Sequence, residues 1–323
     1  MLRPTNRRAV TLLIVLVTAL LALPAAFPHT ATQQTAPESN AAANISVDVN
    51  LVVLHAAVTD QKGHVAPDLS ERDFQVYEDG IPQQIKIFSH EDVPVTAGLA
   101  VDHSGSMKRK LAEVTVAART FVQAGNPGDQ IFVVNFNEHV ELGLPPSTHF
   151  SSDPIQLEKA ISQSPATGKT ALYDAIFKAL ELLKEGGPDK KVLLVISDGG
   201  DNASIHTLAQ ALRLAEQSSA IIYSVGIFDS DDDDRNPRVL RKLAGSTGGL
   251  AFFPLELDQV SAVCARIARD IRSQYTIAYS PSKPARPGEY RTIRVTARDP
   301  HRGKLIVRTR TGYRVGGESG GLQ

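Results

Sequence analysis

Apolar positions along the chain follow two different periods. From Ile45 to Val53 they alternate with polar ones (Ile45, Val47, Val49, Leu51, Val53), and they alternate again at Phe74, Val76, Ile85 and Ile87 around Asp79-Gly80. A period of two sends successive side chains to opposite faces of a sheet, and Asp-Gly suits the positive-φ pair of a tight hairpin, so residues 45–92 read as β-structure containing a hairpin. The same alternation returns after Tyr275, at Ile277 and Tyr279, at Ile293, Val295 and Ala297, and at Leu305 and Val307, which marks 274–315 as a second β-region. Each region offers only about 40 to 50 residues, marginal for a core of its own without disulfides or a metal. The two are expected to fold together, as one β-sandwich that the intervening residues interrupt.

Between them, over residues 93–273, the period changes. Buried-type strands Val95 to Val101, Ile131 to Phe136, Val192 to Ser197, Ile221 to Phe228 and Leu250 to Phe253 alternate with amphipathic helices. One helix carries Leu172, Ala175, Ile176, Ala179, Leu180 and Leu183 on a single face; others carry Leu111, Val114, Ala118 and Phe121, or Leu208, Ala211, Leu212 and Ala215. The fold class expected is α/β with a doubly wound, mostly parallel sheet, flanked by N- and C-terminal β-segments. Val140 to Leu144 follows its strand too closely for a crossover helix and is expected to turn back as an antiparallel edge.

The chain ends read differently. Arg3, Arg7 and Arg8 precede an apolar run from Val10 to Leu23, the order of a secretory leader. A small-x-small cleavage site is missing, because Leu23 and Pro24 stand upstream of Ala25 and Ala26. Residues 1–27 are therefore a signal peptide or an uncleaved anchor inserted through residues 10–27, and either leaves the folded part outside the cytoplasm. Residues 28–44, rich in Ala, Thr, Gln, Pro and Asn, read as a flexible linker, and 316–323 as a disordered tail.

Composition adds little. An apolar share of 42% and a charged share of 21% belong to an ordinary globular protein, and a net charge of −1 gives no global case for nucleic acid or lipid. The single cysteine, Cys264, excludes an intramolecular disulfide, and its helical spacing with Val260, Val263, Ile267 and Ile271 marks it as a core hydrophobe.

Candidate chemistry lies where two central strands end. The first finishes in Asp102-His103-Ser104-Gly105-Ser106, and another in Ser197-Asp198-Gly199. Open α/β sheets place ligands outside the carboxyl ends of strands where the winding reverses, so Asp102 and Asp198 are expected to face one crevice with Ser104 and Ser106. Thr170, after Ala166-Thr167-Gly168-Lys169, would bring a third hydroxyl to that rim. Hard oxygen ligands of this kind suit Mg²⁺, with Mn²⁺ or Ca²⁺ as alternatives, and leave a coordination place for an outside anion. Taken singly, Thr170 is explained as a helix N-cap, Ser104 and Ser106 as loop hydroxyls and Asp198 as a turn former.

Taken together, these residues resemble the von Willebrand factor type A domain and its metal ion-dependent adhesion site: Asp-x-Ser-x-Ser at Asp102, Ser104 and Ser106, Thr170 in Gly-Lys-Thr-Ala-Leu-Tyr-Asp-Ala, and Asp198 in Ile-Ser-Asp-Gly-Gly-Asp. The resemblance spans roughly Val93 to Ser273. It implies a Rossmann-like fold and a metal held by Asp102, Ser104, Ser106, Thr170 and Asp198. The serines would bind directly, the Thr and Asp through direct or water-mediated contacts, and an Asp or Glu carboxylate of a partner protein would complete the shell. His103 occupies a variable position and is expected to face solvent, while Asp201 and Asn202 either shape the same rim or serve a turn.

Other signals are weaker. Asp229 and Asp231 to Asp234 lack the Gly and Glu of a calcium loop and read as a solvated acidic loop on the metal face. Arg286, Arg291, Arg294, Arg298, Arg302, Lys304, Arg308, Arg310 and Arg314 alternate with apolar residues, which makes most of the run the wet face of strands, with binding to an acidic polymer or anionic lipid as the alternative. No aromatic stack favours nucleic acid. A serine hydrolase would need a Gly-x-Ser-x-Gly elbow, and a phosphate loop would need Gly at Gln163. The expected function is a non-enzymatic, cation-dependent protein-binding module. An assembly subunit of an envelope complex is the alternative, and a hydrolase using Ser104 is less favoured.

Overall fold

A computed structural model of the chain describes residues 51–229 and 234–315. The expected leader or anchor (1–27), the linker (28–44), the alternation at Ile45, Val47 and Val49, Asp231 to Asp233 and the tail (316–323) lie outside the described residues.

The N-terminal strands are β1 (Val52–Thr59), β2 (Phe74–Glu78), β3 (Ile81–Gln83) and β4 (Ile85–Ser89). Asp79 and Gly80, at φ 47° and 78°, form the two-residue turn joining β2 to β3, with Glu78 opposite Ile81. The apolar alternation runs on through Ile85 and Ile87, but the strand does not. It breaks at Gln84, and β4 leaves the hairpin for another sheet.

The middle of the chain supplies β5 (Val95–Asp102), α1 (Leu111–Ala124), β6 (Gln130–Phe136), β7 (Val140–Leu142), α2 (Pro154–Ser162), α3 (Leu172–Leu183), β8 (Lys190–Ser197), α4 (Leu208–Gln217), β9 (Ile221–Gly226), α5 (Pro237–Thr247), β10 (Ala251–Phe252) and α6 (Gln259–Arg272). The strands form one sheet in the order β10-β9-β8-β5-β6-β7, parallel except for β7, which runs antiparallel to β6 at the edge. Every residue of β5 is buried, as a strand covered on both faces requires. Leu99 and Val101 pack with α1, α2 and α6 on one side, while Ala100, Leu193 and Val195 pack with α3, α4 and α5 on the other. Helices α2 and α5 fall outside the spans that apolar periodicity picks out. Both carry the same start signal, a capping Asp153 or Asn236 that accepts a backbone N–H, followed by proline at the first helical position.

The chain then adds β11 (Tyr275–Tyr279), β12 (Tyr290–Asp299), β13 (Gly303–Lys304), β14 (Ile306–Arg308) and β15 (Gly312–Arg314). N- and C-terminal strands interleave in two antiparallel sheets, β14-β1-β11-β4 and β13-β12-β2-β3, with β15 also on β12. Leu54 lies opposite Ile277, and Val76 opposite Val295. Side chains from both sheets, among them Leu54, Ala56, Val76, Tyr275, Ile277 and Ile293, share one core. Neither β-region has such a core alone, which is why the two fold as one frame.

The basic run is not simply the wet face of the frame. Arg291, 7% exposed, pairs with Asp79 at 2.9 Å, and Arg302 pairs with Asp68. Three others bind the frame to the α/β part. Arg308 reaches Asp270 at 2.5 Å, Arg314 reaches Glu216 at 3.1 Å, and Arg310 donates to the carbonyls of Glu216 and Ser218 at 2.8 and 2.9 Å. Arg291, Arg308, Arg310 and Arg314 are thus committed internally, while Arg286, Arg294, Arg298, Arg302 and Lys304 are exposed, so the wet-face expectation holds for five of the nine and is corrected for four. Cys264 is buried on α6, and burial pushes its thiol up to about 12, as expected of a core hydrophobe. Among the described residues no helix is long and apolar enough to cross a membrane.

Candidate metal centre

Strands β5 and β8 are hydrogen-bonded neighbours, with Val101 opposite Ile196, so their carboxyl ends bring Asp102 and Asp198 to one side of the sheet. Both carboxylates are buried, Asp102 fully and Asp198 to within 2%. Asp102 Oδ1 accepts the Ser104 N–H at 2.8 Å, and its Oδ2 accepts the Ser197 hydroxyl at 2.6 Å. A short 3₁₀ turn, Gly105–Met107, then carries Ser106 back over the strand end. There its hydroxyl donates to Asp198 Oδ2 at 2.5 Å and lies 3.1 Å from that of Ser104. Asp198 Oδ1 accepts the Gly200 N–H at 2.9 Å, which fixes the remaining side of the carboxylate.

Thr170 reaches the same rim through backbone pairing. Gly105 N donates to Gly168 O at 3.1 Å, and Thr167 N to His103 O at 2.8 Å, tying the 166–170 loop against the serine turn. On its other side, Thr170 N donates to Asn202 Oδ1 at 2.9 Å, and the amides of Asn202 and Ala203 donate to Thr170 O. Helix α3 begins at Leu172 with Ala171 as its cap, so Thr170 does not have the capping role that explains it when taken alone. Among the described residues its hydroxyl has no hydrogen-bond partner, although the residue is only 6% exposed.

Asn202 and Asp201 shape this rim: Asp201 accepts the Tyr173 N–H at 2.9 Å and the Ser204 hydroxyl at 2.6 Å. Asp174 extends the clamp by accepting the amides of Ile205 and His206, both at 3.0 Å. Ser197 and Asp174 are supporting residues that sequence motifs alone did not reveal. For Ser197 a signal existed, since a hydroxyl at the last buried position of a strand needs a polar neighbour.

His103 is not solvent-facing. It is 1% exposed, its Nδ1 sits 3.0 Å from the Ser164 carbonyl, and burial pulls its pKa below the ordinary value. It is covered by the 164–167 loop and lies beside Asn135, a long-range placement that a side-chain pattern cannot register. The Ser104 hydroxyl contacts that of Ser106 rather than an imidazole.

Electrostatically the site sets two buried carboxylates side by side. Burial, with the neighbouring Asp198 second, raises the Asp102 carboxyl to about 6. Two carboxylates and three hydroxyls supply hard oxygen donors of the type Mg²⁺ takes, and a cation among them would offset the repulsion that raises Asp102. Among the described residues no group of three or more His, Cys, Asp or Glu could hold an ion, so a cation here would depend on the hydroxyls and on water.

Gly199 makes the rim turn feasible. Its φ is 81°, and a Cβ there would meet Asn236 O at 2.5 Å. Gly199→Ala is expected to cost about 2 kcal/mol of stability, from the left-handed backbone and the clash together. A urea midpoint unchanged from wild type would contradict this reading of the turn.

Residues 99–200 match the sequence model described as von Willebrand factor type A domain. No curated protein matches the sequence. Among solved structures, a von Willebrand factor type A protein from Catenulispora acidiphila is similar at 14% identity and a TM-score of 0.50, over 84% of this chain and 76% of that one. Proximal thread matrix protein 1 from the mussel byssus aligns at 16% identity and a TM-score of 0.49, over 60% of this chain and 51% of that one. The vWF domain of the pilus tip protein Mfa5 from Porphyromonas gingivalis aligns at 14% identity and a TM-score of 0.48, over 55% and 95%. With the match over 99–200, and a fold shared with the Catenulispora protein, the chain contains a von Willebrand factor type A domain.

Proposed function

We propose that Asp102, Ser104, Ser106, Thr170 and Asp198 hold a divalent cation, Mg²⁺ before Mn²⁺ or Ca²⁺, and that the ion recruits an Asp or Glu carboxylate from a partner protein. The observation that carries this reading is the convergence of Ser104, Ser106 and Asp198 within hydrogen-bond distance at the strand ends. That geometry presents hydroxyl and carboxylate oxygen to one point. Two carboxylates would balance the ion's charge, and the neutral hydroxyls would leave it electrophilic toward a further anion. The role is non-enzymatic binding. The domain would act outside the cytoplasm, where the Arg3, Arg7 and Arg8 leader and the apolar run behind it direct the chain.

The test is capture of envelope or extracellular proteins on immobilised full-length chain, in Mg²⁺ or in chelator, with Asp198→Ala alongside. Captured partner should fall at least tenfold in chelator and to the same level with Asp198→Ala. Equal capture under all these conditions would sink the cation-bridged mechanism.

A further inference from the structure

Away from the metal rim, the frame and the α/β part line a solvent-open pocket of about 670 Å³ at the amino-terminal end of the central sheet. Its walls are Val53, Ile87, Ala278, Val93, Pro94 and Pro188. Three of these are large apolar residues left substantially open, with Val53 40%, Ile87 47% and Val93 40% exposed. Lys190, His55 and Thr276 supply polar lining.

The cation of this lining is Lys190. Lys190 is 4% exposed, and among the described residues its ammonium has one hydrogen bond, to the Ile271 carbonyl, and no carboxylate within 4.0 Å. Buried ammonium groups are ordinarily paired. Asp270, Asp92 and Asp129 act on it only from longer range, and burial still brings it down to about 8. His55, 3.3 Å from the Thr276 hydroxyl, is held neutral by burial and by the fields of Lys190 and Arg310, which depress it to about 3. The one carboxylate on the lining, Asp189, is exposed to solvent.

We propose that this pocket binds a single-chain amphiphilic carboxylate, its hydrocarbon against Val53, Ile87 and Val93 and its head group toward Lys190 and His55. A concave, mostly apolar pocket with a few polar groups is the usual form of a small-molecule site, and the Lys190 ammonium would select the anion. The volume lies within the roughly 300–1,000 Å³ range of such sites. This site is independent of the metal rim.

The probes are decanoate and 1-decanol, used as monomers and titrated calorimetrically into the full-length chain at neutral pH. Decanoate should bind at least tenfold tighter than decanol. Ile87→Trp, at a half-open position, should weaken decanoate at least tenfold with an unchanged melting temperature. Lys190→Gln should abolish the preference for the acid. If that variant fails to fold, the acid-to-alcohol ratio in wild type and the Ile87→Trp result decide the matter. Equal affinity for acid and alcohol, or decanoate binding untouched by Ile87→Trp, overturns the proposal. Binding to anionic phospholipid vesicles without binding of monomeric decanoate also overturns it.

Discussion

Asp270→Ala is expected to destabilise the protein by about 3–5 kcal/mol, the cost typical of stripping one partner from a largely buried ion pair. The Asp270 carboxylate on α6 accepts the Tyr223 hydroxyl of β9 at 2.5 Å and pairs with Arg308 of β14 at 2.5 Å. Tyr223 is fully buried, and Gln274 donates to the same phenol oxygen at 3.0 Å. Removing the carboxylate leaves the phenol without its acceptor and the guanidinium with the Gly248 carbonyl alone, at the seam where the frame meets the α/β part. Urea unfolding measures the loss. Asp270→Leu combined with Arg308→Met should recover much of it, because a buried pair replaced by apolar groups is often near neutral. A loss below about 1 kcal/mol would show that the seam is held by packing alone.

Mg²⁺ is expected to raise the melting temperature of the cation-free protein at pH 7.5, by on the order of 5 °C at a hundredfold excess over its Kd, where linkage supplies about 2.7 kcal/mol. The shift should fade as pH falls through about 6, because the Asp102 carboxyl that the cation needs ionised takes up a proton there. Without cation the sign reverses. The folded-state value lies above the ordinary 3.8, so ionised Asp102 costs stability at neutral pH, and the cost is relieved as pH drops from about 7 toward 4. At roughly 1.4 kcal/mol per unit of pKa, the group contributes about 3 kcal/mol to that slope. Asp102→Asn should lose both the Mg²⁺ response and this acid stabilisation. A variant that keeps both, followed by calorimetry from pH 5 to 8, would remove Asp102 from the account.

Much of this was legible in residue order, for reasons that differ between elements. The parallel strands were plain because strands covered on both faces must be continuously apolar, and α3 because its apolar stripe is wide. Asp102, Ser104, Ser106 and Asp198 stand together because two strand ends and a 3₁₀ turn meet there, and backbone bonds tie the loop carrying Thr170 to that turn. Long-range partners were not legible. That β4 leaves its hairpin to pair with β11 depends on Ile277 and Tyr279, almost 200 residues away. The arginines of β14 and β15 look like a wet face because alternation does not record which carboxylate waits across a seam. Burial of His103 was hidden for the same reason.

The central claim is a cation held at the ends of β5 and β8, and Mn²⁺ binding followed by electron paramagnetic resonance tests it most directly. Titrating wild-type protein and Asp198→Ala at pH 7.5, the account predicts one Mn²⁺ immobilised per wild-type chain, displaced by excess Mg²⁺, and at least tenfold weaker binding in the variant. Equal immobilisation by both proteins, or none by a folded wild-type chain, would contradict it.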